Sequence, residues 1–235
     1  MIAYHGQTEI KEFYLARVAA HRAADEIIHG TYWEDGRGCA VGCCVHTGDH
    51  SAYERELGIP RAIARLEDSL FERLTNRAAL DFPGRFLAAI PVGADLSLVV
   101  TRFLHWLLVD PEEGVIRFAE GSGRNAVQDV AALLARKIAG EIVRADEWHG
   151  ARSAASVADA AAVYAASVYA ASVAVADAAY ASVADAAACA ASVYAEAAAY
   201  AASVYAARKN ATERQAEKFL ELLAGAPVPR QEVTT

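Results

Sequence analysis

The sequence predicts an all-α protein, with an N-terminal multi-helix domain followed by a long alanine-rich amphipathic helix or helical hairpin. Two observations predict this class. Before about residue 150, large apolar residues recur at helical spacing between Gly and Pro punctuation. From residue 151 to 207 about half the residues are alanine, the best helix former, and neither Gly nor Pro occurs until Gly225. We therefore expect almost no β-sheet.

The first helices are predicted from their caps and apolar faces. One helix should begin at Thr8 and continue to Gly30, a natural stop. Ser51 and Glu54 have the spacing of a capping box, and Pro60 fits the first position of the following helix. The apolar face of that helix consists of Ile63, Leu66, Leu70, Phe71 and Leu74.

The next elements follow from the same signals. A short helix is predicted over residues 83–90, with Pro83 at its start. Residues 95–109 form a helix that is apolar nearly all round, which belongs in the centre of a core. Residues 115–118 are expected to be briefly extended, and residues 125–143 to form a further helix.

The alanine-rich tract contains a repeat. Ser-Val recurs mostly every ten or eleven residues, and an eleven-residue period on a helix keeps its members almost in line. The valines therefore form one stripe, with tyrosines on either side, including Tyr164 and Tyr169, and with acidic residues opposite. This pattern favours an arm or coiled coil that forms a homo-oligomer, or a ligand groove lined by tyrosine.

These patterns divide the chain into three parts. They are a helical globular domain (1–150), an alanine-rich helical arm (151–224) and a flexible tail (225–235). The end of the arm regains large apolar residues and basic charge, as expected for a helix that docks on a core. Those apolar residues are Phe219, Leu220, Leu222 and Leu223.

Composition and charge disfavour several partners. The net charge of −8 and the pI near 5.4 argue against binding to the nucleic-acid backbone and against attraction to anionic lipid. The one long uncharged stretch, between Asp159 and Asp177, has no Leu, Ile or Phe, so we expect no membrane partner. The absence of a secretory signal and the crowded cysteines predict a cytoplasmic protein in a reducing compartment.

The densest chemistry lies in GRGCAVGCCVHTGDH, residues 36–50. Cys39, Cys43, His46 and His50 have the spacing C-x3-C-x2-H-x3-H, and thiolate and imidazole are zinc ligands. On an unbroken helix these four residues would span about 16 Å of axis, which is too far for one ion. A zinc site therefore requires either that the glycines break the helix or that two of these ligands combine with others such as His29 or His5, and zinc is not the favoured interpretation.

A nucleophilic cysteine is a second interpretation of this segment. Cys39 would begin a helix, where the helix dipole and Arg37 would lower the pKa of its thiol. His46 or His50 would then be the base. No partner is identifiable by spacing, so the sequence leaves open whether the protein is an enzyme.

An anion cradle at a helix N-terminus is a third interpretation. Its ligand-binding residues would be Arg37, Gly38, Cys39, Gly42 and Cys43. Tyr164 and Tyr169 are the predicted ligand-binding residues of the separate groove on the alanine-rich helix. The cysteines also fit a purely structural role as small buried residues.

Several motifs resemble those of a family of uncharacterised proteins from bacteria and their phages. These motifs are YWEDGRGCAVGC (32–43), ELGIP (56–60), RLED (65–68) and WLLVDP (106–111). The resemblance extends to an alanine-rich tail of variable repeat number. It implies a cytosolic accessory protein, with counter-defence as one such role, and it implies no particular activity.

The leading hypothesis is a non-enzymatic protein that captures a small anionic molecule, such as a nucleotide signal, or a protein partner. One alternative is a cysteine-dependent enzyme that uses Cys39 and a histidine base. The other is a structural protein that oligomerises through the Val/Tyr face of its alanine-rich helix.

Overall fold

The computed structural model describes residues 1–157 and 205–229, and its fold is all-α, as predicted. The α-helices of these ranges are α1 (Thr8–Ala23), α2 (Ala40–Val45), α3 (Arg61–Phe71), α4 (Asn76–Ala89), α5 (Val99–Val109), α6 (Gly121–Ile138), α7 (Ala145–Val157) and α8 (Tyr205–Ala224). Shorter helical turns are the 3-10 turns Ala3–Gly6 and Val115–Arg117 and the π-helix Tyr53–Leu57. The strands of the described residues are β1 (Trp33–Glu34) and β2 (Arg37–Gly38), which form one antiparallel pair.

The chain divides into two compact units. The first consists of Met1–Val99 and Ala216–Thr235, and the second of Val100–Gln215. The first unit contains the cysteine- and histidine-rich segment, and it therefore receives most of the description below.

The apolar face of α3 lies at the centre of the first unit. Its five predicted members are at most 4% exposed, which confirms the prediction: Ile63, Leu66, Leu70, Phe71 and Leu74. Burying a side chain of this size stabilises the fold by roughly 1.5–3 kcal/mol. α3 is therefore a rigid element from which polar side chains on its other face can be presented.

The end of α8 docks on the first unit, as its large apolar residues predict. Phe219 is fully buried, and its ring stacks on that of Phe86 with the centroids 6.0 Å apart. Arg85 donates two hydrogen bonds of 2.7 Å to the carboxylate of Glu217. Beyond the helix, the main-chain N–H of Asp95 donates to the carbonyl of Pro227 at 2.8 Å. The residues directly after α8 thus pack on the first unit as far as Pro227, and residues 230–235 of the predicted tail lie outside the described residues.

The first helix ends earlier than predicted. α1 stops at Ala23, and Asp25 adopts the left-handed conformation with φ 55°. The N–H of Ile28 then donates to the carbonyl of Gly38 at 2.8 Å, and the N–H of Gly38 donates to the carbonyl of Glu26 at 3.0 Å. The prediction of a helix to Gly30 was wrong because this segment satisfies its main-chain groups against β2.

Pro83 lies inside a helix and does not begin one. α4 already starts at Asn76, so the predicted start was wrong. Proline has no N–H, which removes the helical donor for the carbonyl of Ala79. Phe82 and Phe86, on either side of Pro83 along the chain, are at most 1% exposed. Their burial offsets the lost hydrogen bond and keeps the helix continuous.

Two other local predictions require correction. Val115–Arg117 is a 3-10 turn and not an extended piece. The capping box does not form, since the hydroxyl of Ser51 donates to the carboxylate of Asp49 at 2.7 Å. The carboxylate of Glu54 instead accepts from the N–H of Arg61 at 2.9 Å, so it caps α3 from the preceding turn.

The second unit contains α5 and a packed pair of helices, α6 and α7. The apolar residues of α5 are largely buried, as predicted for residues 95–109, and Phe103 is fully buried. Along α6, Val127, Val130 and Leu134 are at most 1% exposed, and so is Trp148 of α7. α6 starts at Gly121 and ends at Ile138, a few residues before the predicted range at both ends.

Most of the alanine-rich tract, residues 158–204, lies outside the described residues. The predictions of a Val/Tyr stripe, of a ligand groove at Tyr164 and Tyr169 and of oligomerisation through this face therefore stay predictions. Among the helices formed by residues 1–157 and 205–229, none has the length and apolar character needed to cross a bilayer.

Candidate metal centre

The segment around Cys39 is held by main-chain hydrogen bonds. After the turn between β1 and β2, the N–H of Cys39 donates to the carbonyl of Thr31 at 2.7 Å. The N–H of Cys43 donates to the carbonyl of Cys39 at 2.9 Å and continues α2. Cys39 is therefore the N-cap residue of a short buried helix, and it is 1% exposed.

Gly38 and Gly42 are required by the close approach of another chain segment. A Cβ atom at Gly38 would lie 2.1 Å from the carbonyl oxygen of Tyr32, and one at Gly42 would lie 1.5 Å from it. Real Cβ contacts are never that short, so the two positions accept only glycine while this packing is kept. The glycines thus bring the loop containing Tyr32 against α2.

This packing does not favour the predicted anion cradle. The main-chain N–H groups of Cys39 and Cys43 already donate to carbonyl oxygens, and the space beside Gly38 and Gly42 is filled by the Tyr32 main chain. Arg37 lies in β2 and is exposed. Of the predicted ligand-binding residues in this segment, only Cys39 faces a cluster of ionisable side chains.

That cluster consists of Cys39, Asp68 and Glu72. The thiol sulfur and one oxygen from each carboxylate all lie within 4.8 Å of one another, and no other such group occurs among residues 1–157 and 205–229. Asp68 belongs to α3, and Glu72 directly follows its last residue, so the i, i+4 spacing places both carboxylates on one face. Asp68 has a side chain only 14% exposed, whereas Glu72 is exposed. The cluster is therefore closed on its inner side and open on its outer side.

Neighbouring groups outside the cluster hold both carboxylates in position. The Nε2 atom of His50 is 3.1 Å from one oxygen of Asp68, and the ring of His50 meets that of Tyr32 edge-on. The other oxygen of Asp68, Oδ1, is buried without a hydrogen-bond partner of ordinary geometry. The N–H of Gly30 donates to both oxygens of Glu72, at 3.2 and 3.0 Å. The Asp68 carboxylate also interacts with the Tyr32 hydroxyl and the Cys39 thiol, so it is held between His50, Tyr32 and Cys39.

The electrostatics of the cluster disfavour a free thiolate. Burial raises the pKa of Cys39 well above its usual range, against the lowering effect of the Gly42 N–H, and the nearby Asp68 carboxylate raises it further. Burial also raises the pKa of Glu72, against the hydrogen bond from Gly30. Without a cation the thiol is protonated at neutral pH. A bound cation would compensate the negative charges of the thiolate and of the two carboxylates.

This arrangement does not favour the predicted nucleophile. The ionisable groups beside the Cys39 sulfur are the carboxylates of Asp68 and Glu72, and His50 contacts the Asp68 carboxylate. His46 lies elsewhere, with its Nε2 atom 2.9 Å from that of His21. A catalytic thiol needs a lowered pKa and access to a substrate, whereas Cys39 has a raised pKa and is buried.

The four ligands predicted from C-x3-C-x2-H-x3-H do not converge. Cys39 and His50 lie beside Asp68, whereas the Cys43 thiol faces the Gly38 carbonyl at 3.3 Å and His46 stacks on Trp33. α2 ends after Val45, so the chain turns away before the two histidines.

Asp68 and Glu72 were not identified from the sequence. Their signal is a pair of acids at i, i+4 in RLEDSLFE, on the side of α3 away from its apolar face. That spacing is common on solvated helices, so it becomes informative only when the fold brings Cys39 beside it.

Comparison of the chain with protein-family models, with curated proteins and with solved structures gave no match. The resemblance to the bacterial and phage family stays a prediction. The argument for function therefore depends on the site alone.

Proposed function

We propose that the protein binds a divalent transition-metal ion of the zinc class through Cys39, Asp68 and Glu72. The observation that carries this proposal is the approach of three ligand atoms within 4.8 Å in a half-buried cluster. Zinc takes thiolate and carboxylate ligands, and its charge would let Cys39 release its proton despite burial.

The surroundings of the three residues support this ligand set. Histidine and carboxylate groups behind a metal ligand fix its orientation, and they contribute about 10–100-fold in affinity. His50 has that relation to Asp68, and the N–H of Gly30 has it to Glu72. The Asp68 carboxylate already interacts with the Cys39 thiol, and a metal ion would take the place of the thiol proton in that contact.

The proposed metal ion could also bind the small anionic ligand that the sequence predicts. A zinc ion with three protein ligands keeps a further position for water or for another ligand. The exposed Glu72 lies on the open side of the cluster, where a small anion would complete the coordination. The metal ion would supply the positive charge that the glycine-rich turn was expected to supply. A nucleotide signal is one member of this ligand class.

Cobalt titration tests the ligand set. We expect Co²⁺ to bind the metal-free protein at one equivalent and to give the intense near-ultraviolet absorption of a thiolate–cobalt bond. Cys39→Ser should abolish that absorption, and Asp68→Asn should weaken binding by at least about tenfold. The reason is that each change removes a ligand atom of the cluster.

The matched control is Cys43→Ser, because Cys43 is equally buried but its thiol donates to main-chain carbonyls. This variant should keep the full cobalt spectrum. The proposal is wrong if the wild-type protein gives no thiolate–cobalt absorption, or if Cys39→Ser leaves that absorption unchanged.

A further inference from the structure

A second set of metal-ligating side chains lies where α1 meets the end of α2. His21 of α1 and His46, directly after α2, direct their Nε2 atoms at each other across 2.9 Å. The Nδ1 atom of His21 is 2.6 Å from a carboxylate oxygen of Glu26. The ring of His46 lies flat on that of Trp33, with the centroids 4.2 Å apart and the planes at 12°.

The protons of this pair are constrained by geometry. Two ring nitrogens at hydrogen-bond distance share a single proton, and the carboxylate of Glu26 lies where it accepts a hydrogen bond from Nδ1 of His21. One of the two Nε2 atoms therefore presents a lone pair to the other. A metal ion can replace that proton, because it accepts a lone pair from each imidazole.

We infer that His21 and His46 form a bis-imidazole site for a late first-row divalent metal ion such as Ni²⁺ or Cu²⁺. Imidazole nitrogens bind these ions at about 2.0–2.1 Å, which places two ligand nitrogens about 2.9 Å apart at a square-planar right angle and about 3.4 Å apart at a tetrahedral angle. The observed 2.9 Å matches the right angle, and each ring would turn so that its lone pair points at the ion instead of at the other nitrogen. This site shares no ligand with the Cys39 cluster.

Glu26 has the position of a supporting carboxylate. A metal-bound histidine usually donates its other ring N–H to a carboxylate, which fixes the tautomer and strengthens the ligand. The 2.6 Å contact between Glu26 and Nδ1 of His21 is this arrangement. The side chain of His21 is 13% exposed, whereas His46 is exposed, so an ion can enter from the solvent.

The backbone at His46 turns directly after α2. His46 adopts the left-handed conformation, with φ 54° and ψ 34°, at the position after a helix where glycine is normally preferred. A non-glycine residue there is strained, and such strain is retained where the side chain has a role. Stacking on Trp33 holds the imidazole in the orientation that meets His21.

The charges near the pair act in both directions. Burial and then the nearby Arg17 guanidinium lower the pKa of His46, so its imidazole is unprotonated and available at neutral pH. The carboxylates of Glu56 and Glu26 favour a cation at the same place.

Ni²⁺ quenching of Trp33 fluorescence tests the site. A paramagnetic ion bound to His46 would lie within a few ångströms of the Trp33 ring, so one equivalent should remove the emission of this residue. The spectrum of Trp33→Phe shows how much of the total emission of the three tryptophans comes from Trp33. Glu26→Gln should weaken the binding by about tenfold, because it removes the supporting carboxylate.

The decisive variant is His46→Gly. Glycine adopts the left-handed conformation without strain, so this variant should fold and melt no lower than the wild type while losing the quenching. His149→Ala, at an exposed histidine of α7, should quench as the wild type does. The inference fails if Ni²⁺ leaves wild-type Trp33 emission unchanged, or if His46→Gly is quenched equally.

The two metal sites are separable in these experiments. Cys39→Ser should keep the Ni²⁺ quenching, and His46→Gly should keep the thiolate–cobalt absorption. Absence of one signal from the wild-type protein refutes only the site that should give it, and loss of both signals in either variant would show that the two ligand sets are not independent.

Discussion

Gly42→Ala should destabilise the protein by about 3 kcal/mol or more and should also abolish cobalt binding. The new Cβ atom would lie 1.5 Å from the carbonyl oxygen and 2.6 Å from the carbonyl carbon of Tyr32. Both contacts are to main-chain atoms, so no flexible side chain can move to relieve them. Either α2 or the loop containing Tyr32 must shift, and Cys39 would move with it.

Gly84→Ala is the matched control for this prediction. Gly84 also lies inside a helix, α4, but a Cβ atom there would have no neighbour within 4 Å. Alanine is a better helix former than glycine, so this variant should be neutral or more stable by up to about 1 kcal/mol. Urea denaturation measures the free energy of unfolding of both variants. Equal stability of Gly42→Ala and the wild type would contradict the packing described here.

The free energy of unfolding should decrease with rising pH because of Glu67. This residue is fully buried on α3, and Tyr53 donates to one of its oxygens at 2.7 Å, while its other oxygen has no partner. Burial raises the pKa of Glu67 well above its ordinary value of 4.5. The native state therefore holds a proton that the unfolded chain releases.

The direction of the effect follows from this proton. The stabilisation that this proton gives the folded protein is complete below the pKa of Glu67 in the unfolded chain. It is lost as the pH rises through the pKa of Glu67 in the folded protein, by about 1.4 kcal/mol per pH unit. Glu67→Gln carries no such proton, so its stability should lack this decrease as the pH rises.

Urea denaturation of metal-free protein between pH 5 and 8 tests this prediction, with Glu12→Gln as a control at an exposed position of α1. The Glu12 variant should follow the wild-type pH profile, since its carboxylate is solvated in both states. Parallel profiles for Glu67→Gln and the wild type would show that Glu67 is not a buried neutral acid.

The fold class and much of the core follow from the sequence because burial on a helix leaves a periodic signal. The apolar face of α3 and the docking of Phe219 were predicted on that basis. The end of α1 was not, because Ile28 pairs with Gly38, a partner distant along the chain. Such main-chain pairing leaves no periodic trace in a short segment.

The metal centre was only partly predictable for the same reason. Cys39 was identified as a ligand, but the spacing rule supplied Cys43, His46 and His50 as its partners. That rule assumes that ligands are neighbours along the chain. The fold instead brings Cys39 to a face of α3, and only three-dimensional contact identifies Asp68 and Glu72.

The most direct test of the Cys39 centre is zinc-edge X-ray absorption on protein loaded with one equivalent of zinc. His46→Gly should be used, so that the bis-imidazole site does not contribute. We predict one sulfur at about 2.3 Å, with the other neighbours being oxygens at about 2.0–2.2 Å. A shell without sulfur, with two sulfurs, or with imidazole scattering would contradict the assignment of Cys39, Asp68 and Glu72 as the ligands.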